Sequence, residues 1–251
     1  MRTTAILNLK GGVAKTTTLI ELSTLLADMG KKVLVIDADP QCNTTDFFGY
    51  DGSPDLPTVS DLLRSPETDM VCWPVGYKGL HMIRADEALM DLDLTKAETG
   101  SAAIGFLRDH REYLENLGFS HVLVDCPPGF NSATAAALIA ADDVVIPMKL
   151  DAFSIRGMAN LTRQIDNMRR INPALRIAGI LPTMWYDSPQ NREAEKAIAD
   201  AGFRVYRHIM KSCTVDRMTF ARRPLQKFSR NSGALRNYRQ FVGEYLEQEG
   251  Q

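Results

Sequence analysis

The eight residues Lys10-Gly11-Gly12-Val13-Ala14-Lys15-Thr16-Thr17 constrain this chain more than any other stretch. They follow an apolar run, Thr4-Ala5-Ile6-Leu7-Asn8-Leu9, that reads as a strand. They precede a helical repeat of Leu19, Leu22, Leu25, Leu26 and Met29, which Gly30 stops. Strand, glycine loop and helix in this order bring backbone N–H groups and a helix N-terminus onto one anion. Gly11 and Gly12 let the backbone curl with its N–H groups inward, Lys15 reaches outer phosphates as a point charge, and the Thr16 hydroxyl can hold Mg²⁺. All eight residues are therefore expected to form a nucleotide's phosphate site.

Two positions depart from the general phosphate loop. Lys10 stands where the pattern starts with glycine, and Ala14 replaces the glycine before the lysine. That glycine tolerates a backbone conformation costing alanine about 1 kcal/mol, so either the loop absorbs a small strain or its geometry differs. The run Lys-Gly-Gly-x-x-Lys-Thr-Thr resembles the deviant Walker A motif of the ParA/MinD family of ATPases, with Lys10 at the place of that family's signature lysine. A lone lysine here would read as a solvated strand end. The resemblance instead implies that Lys10 reaches across a dimer interface to the partner's ATP.

Val33-Leu34-Val35-Ile36 is a continuous apolar run, as in a strand buried on both faces, and it ends in Asp37-Ala38-Asp39-Pro40-Gln41. Such residues also cap turns. Next to this loop they resemble the family's D-x-D-P-Q element, which implies that Asp39 positions or activates the attacking water. Asp37 then has the lesser role of Mg²⁺ binding or loop organisation. His121-Val122-Leu123-Val124-Asp125 repeats the strand ending in an acid and resembles a Walker B element, with Asp125 holding the water shell of Mg²⁺. Pro127 and Pro128 force the chain off that strand, and the resemblance makes Gly129 a backbone contact to the γ-phosphate.

Strands alternating with helices predict an α/β fold, a doubly wound and mostly parallel sheet flanked by helices in three layers. Asp51-Gly52-Ser53-Pro54 marks a loop, Thr58 to Leu63 a short helix, and Val71–Val75 with Leu80–Ile83 short strands around Gly76 and Gly79. Trp73 and Met82 are read as core or partner surface. A surface helix is expected from about Ala102 to Leu117, ended by Gly118. Further on come an alanine-rich helix (Ser132 to Ala140), a strand (Val144 to Pro147), a long helix marked by Ile155 to Met168 and a strand over 176–181. Asp151 and Phe153 are placed at the dimer face. The resemblance sets Pro182, Thr183 and Met210 around the adenine. At 251 residues and 45% apolar composition, one domain over 1–251 is expected.

The net charge of −2 conceals an asymmetry. Residues 204–239 carry ten Lys or Arg against Asp216, a local +9 that leaves −11 on the rest. Such a stripe is the electrostatic footprint of a nucleic-acid surface, and a solvated basic helix is its plainer reading. Lys211, Arg217, Arg222, Arg223, Lys227 and Arg230 are the expected contacts, and the scarcity of aromatics among them suits a duplex backbone better than stacked single strands. Cysteines 42, 72, 126 and 213 form no CxxC pair, which fits a reduced cytosol, with Cys126 a small buried thiol. The first strand starts within a few residues of Met1, so no signal peptide is expected, and no apolar run nears the roughly 20 residues of a membrane span.

The resemblance, firm in the first half and looser after residue 204, implies a ParA-like partition ATPase of a plasmid or chromosome. It would bind ATP and Mg²⁺, pair as an ATP-sandwich homodimer, bind DNA without sequence preference and answer to a ParB-type adaptor in the cytoplasm, on the nucleoid. A MinD-like ATPase on a membrane is an alternative, opposed by the acidic ending Glu244-Tyr245-Leu246-Glu247-Gln248-Glu249. A nucleotide-binding regulator or scaffold with negligible hydrolysis is another.

Overall fold

The computed structural model describes residues 1–49, 56–65, 67–92 and 104–248. The loop expected at Asp51 to Pro54, the start of the helix at Ala102 and the Phe153 side chain lie outside the described residues. Among the described residues seven strands form one sheet: β1 (Arg2–Ile6), β2 (Val33–Asp37), β3 (Trp73–Pro74), β4 (Leu80–Ile83), β5 (His121–Asp125), β6 (Asp143–Lys149) and β7 (Arg176–Thr183). Their order is β3-β4-β2-β5-β1-β6-β7, parallel throughout apart from the antiparallel edge pair β3–β4.

Alternation along the strands sorts the core into two layers. Ile6, Val35, Leu123 and Val145 face one side, where they meet α1 (Lys15–Asp28) and the last helix, Gly233–Glu247. Ala5, Ile36, Val124 and Ile146 face the other, against the helices Ser132–Ala140 and Ala152–Met168. Leu235, Tyr238, Val242 and Tyr245 of the last helix are buried, as their spacing predicts, and Tyr245 Oη lies 2.8 Å from Thr4 Oγ1 in β1. Gly179 lets β7 meet the next segment closely: a Cβ there would stand 2.6 Å from the Tyr206 ring.

Several segments differ from the sequence reading. β1 stops at Ile6 because Asn8 turns inward, donating from Nδ2 to the Pro147 carbonyl (2.8 Å) and accepting the Lys10 N–H (3.0 Å). Of Val71–Val75 only Trp73–Pro74 pairs, with Trp73 half-buried and Met82 in the core. The helix ending at Leu117 divides at His110 into Phe106–Asp109 and Arg111–Asn116. Helices at Pro189–Asp200, Cys213–Phe220 and Leu225–Phe228 have no counterpart in the sequence reading.

Candidate nucleotide site and basic face

The carboxyl ends of β1, β2 and β5 converge, the position at which open α/β sheets bind ligands. Asp37 and Asp125 are register partners on adjacent strands, and Ile6 is the partner of Asp125 on the other side. Between β1 and α1 the chain makes the glycine loop, with Gly12 at φ +68° and Ala14 at φ +65°, ψ +33°. Ala14 is thus in the left-handed region, so the loop absorbs the strain that replacing glycine implies. Thr183 Oγ1 donates to the Val13 carbonyl at 3.1 Å and ties the loop to β7.

Beside this loop lies a cavity of about 420 Å³. Gly11, Gly12, Ala14, Lys15, Thr16 and Thr17 of the loop line it together with Asp39. Thr183, Met184, Met210 and the helix Cys213–Phe220 also line it. Lys15 is buried and its Nζ donates to the Lys10 carbonyl at 3.1 Å; burial lowers its pKa, against the opposing attraction of Asp125 and Asp39.

Asp125 sits under the loop at 0% exposure. Its Oδ2 accepts the hydroxyls of Thr16 (2.8 Å) and Thr44 (2.7 Å), while Oδ1 has no hydrogen-bond partner among the described residues. Burial raises its pKa to about 6 against those two hydroxyl donors. Asp37 is raised to about 7, by burial first and then by repulsion from Asp125. Both Asp37 oxygens are engaged: Oδ1 accepts Asp39 N–H, and Oδ2 accepts the Thr45 N–H and hydroxyl. Of its two expected roles, loop organisation is the one these bonds serve. Asp39 accepts the Gln41 N–H at 2.9 Å and borders the cavity.

Several expected residues stand elsewhere. Lys10 turns away from the cavity, its Nζ 2.7 Å from Asp151 Oδ2 and 3.2 Å from Ser154 Oγ. Val13, within the loop, has a buried side chain and offers its carbonyl to the Thr183 hydroxyl, and Pro182 is not in the cavity wall: it lies within β7, its carbonyl accepting the Ile209 N–H. Pro128 borders the cavity, whereas Gly129 does not, its N–H turned to the Pro127 carbonyl at 2.9 Å. The sequence reading missed Gln41, Asn43 and Thr44, although the polar run Asn43-Thr44-Thr45 directly after Asp-x-Asp-Pro-Gln was a usable signal. It also missed Val215, Thr219 and Tyr238, for which no local signal exists.

The basic residues divide into groups. Lys211 lies in the cavity wall. Arg222, at φ +48°, borders a second concavity with Asp46 and Glu87, and Arg217 stacks its guanidinium 5.8 Å from the Phe228 ring. Arg223, Lys227 and Arg230 gather at helix Leu225–Phe228, Arg223 Nη2 donating to the Lys227 carbonyl and Arg230 Nε to that of Gln226. The segment is fastened to α1 by Glu21, whose Oε1 accepts the Leu225 N–H at 2.8 Å.

Known proteins match this arrangement. A family model described as an AAA domain matches residues 1–177. The chromosome partitioning protein ParA of Caulobacter vibrioides is 37% identical over 212 residues, 82% of this chain and 79% of that protein. The chromosome-partitioning ATPase Soj of Thermus thermophilus is 36% identical over 186 residues, 74% of this chain and 70% of that protein. The structure of apo McdA from Cyanothece superposes with a TM-score of 0.83 at 26% identity, covering 98% of this chain and 99% of that one. An ATP complex of a variant of the same protein gives 0.81 at 25% identity, covering 99% and 96%.

Proposed function

The chain belongs to the ParA/MinD family of P-loop ATPases, and from that premise we propose that it is a partition ATPase whose ATP-bound form pairs with itself and binds duplex DNA. The observation that carries the nucleotide reading is the environment of Asp125. One buried oxygen holds the Thr16 and Thr44 hydroxyls and the other has no partner among the described residues, next to Lys15 and below a curled glycine loop. A buried carboxylate left half-satisfied is costly unless a cation completes it. Thr16 and Asp125 would hold Mg²⁺, directly or through its water shell, and the ion would supply charge neutralisation at the phosphates.

The remaining chemistry belongs to the chain. Lys15 places a desolvated positive charge at the outer phosphates, where it stabilises charge on the transferring group. Asp39, held by the Gln41 N–H, orients a water for attack. Lys10 leaves Asp151 to reach the nucleotide of a second subunit. Arg223, Lys227 and Arg230 supply phosphate contacts to DNA without reading bases. Hydrolysis would release the pair from DNA, and a ParB-type adaptor would stimulate that step in the cytoplasm, on the nucleoid.

The test is binding to a random-sequence duplex with ATP, ADP or no nucleotide, together with Mg²⁺-ATP turnover of wild type and Asp39→Ala. ATP-dependent DNA binding and a turnover that falls at least about 100-fold in the variant are expected. Equal turnover in the two proteins would remove Asp39 from its role, and DNA binding absent in every nucleotide state would remove the DNA switch.

A further inference from the structure

We infer that the DNA-binding face continues past the C-terminal basic segment onto Lys31 and Lys78, which form with Lys227 a three-lysine cradle for backbone phosphates. The inference rests on the DNA reading proposed above and extends it to two residues far from 204–239 in sequence.

Lys31 follows the end of α1, Lys78 lies in the turn between β3 and β4, and Lys227 lies on the short helix Leu225–Phe228. The fold brings them around one concavity of about 360 Å³ whose floor includes the backbone of Gly30, Gly76 and Gly79. Tyr77 fixes the three segments together: its hydroxyl lies 2.7 Å from Asp28 Oδ1 and accepts from Gln226 Nε2 at 3.0 Å. The lysines are therefore held near one another by a hydrogen-bonded frame, while their side chains are exposed.

The charges decide what such a concavity takes. Among the described residues none of the three lysines forms an ion pair, and the carboxylate in the wall, Asp28, is engaged by the Tyr77 hydroxyl. Arg223 and Arg230, anchored on the carbonyls of Lys227 and Gln226, add two cations beside it. Five positive groups against one acid create a strong local potential for a polyanion. The Lys227 ammonium lies over the Tyr77 ring, 5.4 Å from its centroid, so that face is not an open platform for a base. Compact ammonium groups without a stacking platform suit the phosphates of a duplex.

The salt dependence of binding counts these contacts. With ATP and a random-sequence duplex, Lys31→Ala/Lys78→Ala is expected to reduce the log–log salt slope by about 2 for each subunit on the duplex, at roughly 0.9 per lost phosphate. Nucleotide binding and the thermal midpoint are expected to stay at wild-type values. A control with the same charge change on other exposed positions, Arg170→Ala/Lys196→Ala, is expected to keep the wild-type slope. A wild-type slope in the lysine variant, or an equal loss in the control, would overturn the cradle while leaving the DNA reading intact. A wild type that binds no duplex in any nucleotide state would overturn both. Loss of binding to phosphatidylglycerol vesicles at an unchanged DNA slope would reassign the lysines to a membrane surface and likewise overturn the inference.

Discussion

The Lys10 ammonium lies 2.7 Å from Asp151 Oδ2, so the lysine proposed to reach a second subunit's nucleotide is held within its own subunit. Burial would raise the Asp151 pKa, but Lys10, Ser154 and the Ser154 N–H together lower it to about 2, so the carboxylate stays charged at all ordinary pH. Asp151 also caps the helix Ala152–Met168 by accepting the Ser154 N–H at 2.8 Å. Asparagine caps equally well but carries no charge. Asp151→Asn is therefore expected to fold normally and to release Lys10. Because a partly exposed pair contributes 0–1 kcal/mol and self-pairing breaks two, one in each subunit, ATP-dependent self-association should tighten by up to about 30-fold. Sedimentation with ATP and Mg²⁺ measures this, and weaker association in the variant would mean that Asp151 supports the pairing.

Glu21 gives the protein a pH-dependent stability opposite in sign to that of a salt-bridged acid. It is fully buried in α1, its Oε2 has no partner among the described residues, and burial raises its pKa to about 7 against the Leu225 N–H bond. Between the unfolded value near 4.3 and about 7, the folded state binds more protons than the unfolded one, so stability falls as pH rises through this window. Glu21→Gln keeps an acceptor for Leu225 and carries no charge. Its stability relative to wild type is expected to improve by about 2 kcal/mol between pH 5 and pH 8. Urea unfolding of both proteins at each pH checks this, and a constant difference would show that Glu21 does not titrate in that window.

Ala14 holds the phosphate loop in a conformation that glycine adopts freely. The left-handed region costs a non-glycine residue about 1–2 kcal/mol, and the extra freedom of glycine in the unfolded chain takes back about 0.4–1 kcal/mol. Ala14→Gly is therefore expected to stabilise the protein by up to about 1.5 kcal/mol. The urea midpoint should rise with an unchanged slope. A loss of stability would mean that the methyl group makes contacts worth more than the strain.

What was legible in the sequence is what neighbouring residues decide. The glycine loop, Asp39 and Asp125 each sit within a few residues of a strand end, so their meeting follows from parallel strands alone. The wall beyond them follows from packing. Val215 and Thr219 reach the cavity because the helix Cys213–Phe220 is laid over it, and Tyr238 because the last helix packs on α1. No periodicity near those residues reports that placement. Lys10 is an intermediate case: its motif marks it, yet its observed partner Asp151 is 141 residues away.

Thr44 was not marked by the sequence reading, and its contact with Asp125 makes it a sharp test of the site. Its hydroxyl donates at 2.7 Å to the same Asp125 oxygen that Thr16 reaches, with both side chains of the Thr44–Asp125 pair at 0% exposure. Thr44→Val keeps the shape and removes one hydrogen bond to a charged group, a loss of about 1.5–3 kcal/mol in stability. The bond also favours the ionised form, so its removal raises the Asp125 pKa above its present value of about 6. More of the protein then carries a neutral, proton-bearing Asp125 near neutrality, a poorer holder of a cation. The acid limb of the turnover profile with Mg²⁺-ATP is thus expected to shift to higher pH, with activity recovering on the alkaline side. An unshifted limb with a uniformly lower rate would mean that Thr44 acts on the fold alone and that Asp125 does not set the acid limb.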